Sequence, residues 1–106
     1  MLFDVRTLRR GDWSVLAVVG ELDLATIPAL RQEMDLHDGD RVALDLGGVD
    51  YLEPVALGLI LSGSLRARRR EGRFAVVCPP GPARDLLEES GVDRIVDVVG
   101  DPAELC

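Results

Sequence analysis

RVALDLGGVDYLEPVALGLILSGSLRARRREGRFAVVC, residues 41–78, is the stretch whose reading decides the fold. Val42, Leu44 and Leu46 alternate with Ala43 and Asp45, which is the period of a strand, and Asp45 falls on its less apolar face. Gly47 to Glu53 reads as a loop. Pro54 then fits the first turn of a long helix that runs to about Arg70 and stops at Gly72. Arg73 to Cys78 is a second strand. Strand, helix and strand in succession make a β-α-β unit, and such units build a mixed or parallel sheet with right-handed crossovers.

Upstream, Phe3–Leu8 and Ser14–Glu21 are β-rich runs separated by Arg9-Arg10-Gly11-Asp12, so they predict an antiparallel hairpin. Both alternating sets of the second run are largely apolar, which places it centrally and covered on both faces. Thr26 is the expected N-cap of the next helix, with Pro28 in its first turn and Ile27, Leu30 and Met34 as the buried stripe. Downstream, the rigid connector Pro79-Pro80-Gly81-Pro82 leads to a helix over 83–90 that Gly91 ends. Arg94–Val99 reads as a last strand. Asp101 and Pro102 have the chemistry of a cap and a first helical position. The expected order is β-β-α-β-α-β-α-β in one domain, residues 1–106, without repeats or linkers.

Composition narrows the function. The 106 residues carry 12 basic and 19 acidic side chains, a net charge of −7, and 47% of them are hydrophobic. That is enough apolar material for one core, and too acidic for a general polyanion binder, so nucleic acid is not an expected partner. The longest apolar run, Val55–Leu61, is far shorter than the ~20 residues of a membrane span, and a cytoplasmic protein is expected. All basic residues are arginine and lysine and asparagine are absent, a pattern that reads as the codon bias of a GC-rich, bacterial genome.

Motifs of catalysis are missing. There is no phosphate-cradling glycine loop, no HExxH and no GxSxG elbow. His37 stands by a helix end beside Asp38 and reads as a terminal cation; Cys78 ends an apolar strand and reads as core. With one further thiol, Cys106, neither a disulfide framework nor a zinc site is expected. The run Arg66-Ala67-Arg68-Arg69-Arg70 sits at a helix C-terminus, where cations complement the dipole. On the long helix, Leu57, Ile60, Leu61 and Leu65 make the expected core face. Val55 and Leu59 then stand beside Ser62 and Arg66, either as a surface patch or as the edge of a wide buried face.

Gly20-Glu21-Leu22-Asp23, Val42-Ala43-Leu44-Asp45-Leu46, Val49-Asp50-Tyr51-Leu52-Glu53, Ala56-Leu57-Gly58-Leu59-Ile60-Leu61 and Ala75-Val76-Val77-Cys78 together resemble a STAS domain. The chain looks like the bacterial anti-sigma factor antagonists of the SpoIIAA and RsbV kind, and the likeness spans nearly the whole chain. It implies a SpoIIAA-like α/β fold, a mixed sheet with helices mainly on one face. It also implies a non-enzymatic protein-protein interaction module, without cofactor or metal, that binds an anti-sigma factor, a kinase-like ATPase, and so releases a sigma factor.

In that family the helix opens with Asp-Ser-[Ser/Thr]-Gly-Leu-Gly, whose second hydroxyl the partner phosphorylates. Here the stretch is Glu53-Pro54-Val55-Ala56-Leu57-Gly58, and Val55 falls on the phosphorylated position. Valine has no oxygen to accept a phosphoryl group, so no phosphorylation site is expected there. A phosphate would add about two negative charges beside carboxylates; Val55 resembles the neutral, partner-competent state. The resemblance makes Glu21, Asp23, Asp50, Glu53, Pro54, Val55, Ala56, Gly58 and Leu59 the expected partner-binding residues. For Glu21 and Asp23, strand termination and capping are the competing roles. Two alternative functions stand beside the first: an accessory subunit on the ATPase of a lipid-trafficking ABC transporter, and a small-ligand or nucleotide sensor using the helix N-terminus as an anion site. Glu53 at that terminus opposes the latter. Homodimerisation is left open.

Overall fold

The computed structural model describes residues 3–37 and 39–105. Its elements follow in the expected order: β1 (Phe3–Arg10), β2 (Trp13–Leu22), α1 (Ile27–Leu36), β3 (Arg41–Leu52), α2 (Ala56–Arg69), β4 (Arg73–Val77), α3 (Pro82–Ser90) and β5 (Asp97–Val99). The sheet runs β1-β2-β3-β4-β5, with β1 antiparallel to β2 and the other neighbours parallel. The hairpin turn is tighter than the sequence suggests, only Gly11 and Asp12 lying between the paired Arg10 and Trp13. Gly11 at φ +59 supplies the positive φ that such turns require at their first central residue.

All three helices pack on one face of the sheet. Leu30 and Met34 of α1, Leu59 and Ile60 of α2 and Leu87 of α3 join Leu16, Leu44, Val76 and Cys78 in one core cluster. The opposite face carries a smaller cluster, Trp13, Val15, Ala43 and Ala75, on which Leu105 of the C-terminal segment packs. Thus β2 is covered on both faces, as its doubly apolar alternation implies. The Cys78 thiol is core, and burial pushes its pKa up, with Arg84 opposing and Asp45 and Glu88 adding to the rise. Asp101 caps a single 3₁₀ turn, accepting from the Ala103 N–H at 2.8 Å.

Several expectations are corrected. Residues 47–52 are strand rather than loop: β3 continues through two register shifts, pairing Gly48 with Val19 after the first, and Tyr51 with Glu21 and Leu52 with Leu22 after the second. Gly48 permits this, because a Cβ there would lie 2.9 Å from the Val18 carbonyl oxygen. The last strand begins at Asp97, since Val92–Arg94 winds into a 3₁₀ turn. Thr26 occupies the N-cap position of α1 without capping it. Its hydroxyl donates to the Glu21 carbonyl, 2.8 Å, and Asp23 Oδ1 accepts from the N–H groups of Ala25 and Thr26.

The core face of α2 is also rotated from the expected one. Ala56, Leu59, Ile60, Gly63, Ser64 and Ala67 are buried, whereas Leu65 is 49% exposed and Leu57 and Leu61 are only half-buried. Small residues let the helix approach its neighbours closely: a Cβ on Gly63 would stand 2.8 Å from both Met34 Cε and Phe74 Cε1. The left-handed residue that stops the helix is Glu71 rather than Gly72. Glu71 takes φ +58, its N–H bonds the Arg68 carbonyl, and the Gly72 N–H bonds that of Ala67 at 2.8 Å, a left-handed stop of the Schellman type. Gly72 is needed for a different reason, since a Cβ would meet the Asp40 carbonyl oxygen at 2.5 Å.

His37 is the C-cap of α1, its Nε2 3.1 Å from the Thr7 hydroxyl and 3.7 Å from Glu33 Oε2, and its side chain is half-buried rather than free in solvent; the neighbouring Asp38 and the terminal Cys106 lie outside the described residues. Of the arginine run, Arg66 pairs with Asp35 of α1, and Arg68 donates to the Ile95 carbonyl.

Candidate functional site

The carboxyl ends of β2 and β3 lie side by side, because Glu21 is opposite Tyr51 and Leu22 opposite Leu52. Two connections leave from this edge, the Asp23–Thr26 turn into α1 and the Glu53–Val55 turn into α2. Backbone and side chain tie them together. The Glu53 N–H donates to the Leu22 carbonyl at 3.0 Å, and Glu53 Oε1 accepts from the Leu24 N–H at 3.1 Å. Asp23 meanwhile closes its own turn through Oδ1. The entry to α2 is a series of tight turns, Ala56 N–H to Glu53 O, Leu57 N–H to Pro54 O and Gly58 N–H to Val55 O, so Pro54 precedes the helix proper.

What this frame presents is apolar. Leu24 is 72% exposed, Tyr51 54% and Val55 48%. Asp50 is exposed as well, and Glu21, Asp23 and Glu53 are half-buried, so exposed apolar side chains and carboxylates share the connections at this end of the sheet. Among the described residues no group of three or more His, Cys, Asp or Glu side chains could hold a metal ion, and no helix is long and apolar enough to cross a membrane.

A family model described as Mlab, STAS domain matches residues 5–99. The chain belongs to the STAS domain family. No curated protein matches the sequence significantly. Among solved structures it is similar to an anti-sigma factor antagonist from Mycobacterium paratuberculosis, with TM-score 0.88 and 23% identity over 97% of this chain and 90% of that one. It is also similar to an anti-sigma-factor antagonist (STAS) domain protein from Planctomyces limnophilus, with TM-score 0.82 and 17% identity over 98% and 95%. The anti-sigma factor antagonist SpoIIAA in its unphosphorylated form matches with TM-score 0.74 and 17% identity over 96% and 91%. At these identities the likeness establishes the STAS fold.

Within this STAS domain the residues singled out from the sequence divide into three groups. Asp50, Pro54, Val55 and Gly58 are exposed. Glu21, Asp23 and Glu53 are half-buried, Glu21 standing near the end of β2, and Asp23 and Glu53 spend carboxylate oxygens on backbone N–H groups of residues 24–26. Ala56 and Leu59, at 0% and 2% exposure, lie in the core. The surface alternative for Leu59 is therefore corrected: one turn beyond Val55, the α2 helix has already turned that side onto the sheet. Sequence reasoning missed Leu24 and left Tyr51 unused. The available signal for Leu24 was an apolar residue between Asp23 and Ala25-Thr26, in a turn where no helical or strand periodicity calls for one.

Proposed function

We propose that this STAS domain is a cytoplasmic protein-protein interaction module that docks on an anti-sigma factor, a kinase-like ATPase, and thereby releases a sigma factor. The observation that carries the reading is the presence of three exposed apolar side chains, Leu24, Tyr51 and Val55, among the carboxylates Asp23, Asp50 and Glu53 at one end of the sheet, with the Glu53 bond holding the Leu24 backbone. Burying these side chains removes apolar area from water at about 25 cal/mol per Å². The carboxylates favour a partner with basic residues beside its apolar ones.

Docking is constitutive in this reading. Val55 stands where the family carries its phosphorylated hydroxyl, and a valine offers no acceptor oxygen, so neither phosphate charge nor its removal gates the surface. In this reading the module acts by binding. Affinity capture from the source's own extract, with the full chain as bait, tests the assignment. Recovery of a histidine-kinase-like ATPase that leaves the bait unphosphorylated after incubation with ATP is the expected result. Recovery of a transporter ATPase instead, or stoichiometric phosphate on Ser62 or Ser64, would overturn it.

A further inference from the structure

Outside the carboxyl ends of β3 and β4 lies a groove of about 460 Å³. One wall is the end of β3 with Tyr51 and Pro54; the other is the Pro79–Pro82 connector and the first turns of α3. The floor is apolar, with Leu46, Leu52 and Leu86. Asp50, Asp85 and Glu89 stand exposed around it, the last two on one face of α3 by their i, i+4 spacing. No arginine or histidine is among the described residues that line it, and the neighbouring Arg84 of α3 is engaged with the Cys78 carbonyl at 2.8 Å.

The chemistry of the walls selects the occupant. Pro54, Pro79, Pro80 and Pro82 line the groove without a single N–H among them. Neighbouring donors are already engaged: the Gly47 N–H with Asp45 Oδ1, the Cys78 N–H with the Val99 carbonyl and the Asp85 N–H with the Gly81 carbonyl. The groove therefore sets carboxylates around an apolar floor, and its remaining donor end is the N-terminus of α3. Three carboxylates, Asp50, Asp85 and Glu89, stand against that one helix end, and beside them a cation rich in N–H donors is favoured. Guanidinium answers best, because it brings five donors in a plane, pairs with carboxylates two bonds at a time and stacks on an aromatic face such as the exposed Tyr51 ring. Proline-fixed walls hold the shape before anything binds, which lowers the ordering cost.

We infer that the groove receives an arginine side chain carried on an extended segment of the docking partner. This rests on the docking reading for the segment's owner, since Asp50, Tyr51 and Pro54 belong to both the groove and the docking face.

The test is an NMR titration of the isotope-labelled full chain with the blocked tripeptide glycyl-arginyl-glycine and with its citrulline counterpart, which keeps the shape and loses the charge. Saturable shifts at Tyr51, Asp85 and Glu89 are expected with the arginine peptide. Citrulline, or the double variant Asp85→Asn/Glu89→Gln, weakens binding about five- to tenfold, the loss expected for two partly exposed charge contacts. Equal affinity for both peptides, an unaffected double variant, absent saturable shifts, or shifts spread alike over Asp93, Asp97 and Asp101 would overturn the proposal. Val55→Asp separates it from the docking reading: that variant keeps its peptide affinity whether or not the partner still binds.

Discussion

Replacing Gly63 by alanine tests whether small residues on α2 set the seat of the helix that carries Val55. Two effects oppose each other. In a helix interior, alanine is favoured over glycine by about 1 kcal/mol. Against that, the new methyl would lie 2.8 Å from Met34 Cε, 2.8 Å from Phe74 Cε1 and 2.9 Å from Phe74 Cζ. The Met34 methyl ends a flexible chain and can swing away. Phe74 cannot move as cheaply, being 7% exposed and part of the core cluster. Overpacking of this kind costs about 1–3 kcal/mol, and the middle of that range leaves Gly63→Ala less stable than the parent by roughly 1 kcal/mol. Gly58 is the matched control. It is exposed in the first turn of α2 and a Cβ there meets nothing within 4 Å, so Gly58→Ala gains about 0.5–1 kcal/mol. Urea unfolding reads both, and the corresponding Tm shifts of opposite sign are about 4–8 °C per kcal/mol for a domain of this size. Equal stabilisation by the two alanines would refute the close-packed seat.

Further outcomes follow from the loop tie and the buried thiol. Glu53→Ala removes the acceptor of the Leu24 N–H, worth about 1 kcal/mol or less at this exposed position, and should speed hydrogen exchange at Leu24, while Glu53→Gln keeps an acceptor oxygen and most of the protection; equal exchange in the two variants would dissolve the tie. Burial raises the Cys78 thiol above its ordinary 9.0, so on raising the pH the unfolded chain loses its proton first. The stability contributed by this group is complete below pH 9.0 and declines above it as the pH approaches the higher folded value. Cys78→Ala should lack that increment of alkaline decline relative to the parent, and parallel pH profiles would contradict the assignment of the thiol to the core.

The order of elements was legible because the period-2 runs at residues 42–46 and 73–78 and the turn chemistry of Gly11, Pro82 and Gly91 are local signals. The sheet's one-sided coverage came with the family resemblance rather than with periodicity. The rest was hidden by effects that act across the chain. Gly47-Gly48 reads as a loop until β2 is laid beside it, when the absence of side chains becomes what lets β3 bulge and continue. The α2 core face was misread because hydropathy counts leucines, and the helix is seated by Ala56, Gly63 and Ala67, which score as neutral. At the candidate site the motif alignment points to the carboxyl ends of β2 and β3, yet Leu24 escaped because its placement depends on Glu53 holding its backbone from another connection. Burial of Leu59 likewise follows from the angle at which α2 meets the sheet, a quantity with no counterpart in a single sequence.

The central claim, constitutive docking through Leu24, Tyr51 and Val55, is tested most directly by calorimetry of the captured partner against the parent chain and Val55→Asp. At 48% exposure the aspartate is tolerated in the free protein, and the amide spectrum should be preserved. In the complex it becomes a carboxylate buried without a partner, which costs more than about 2 kcal/mol and weakens binding at least thirtyfold. A folded Val55→Asp chain that binds the partner as tightly as the parent would contradict the account.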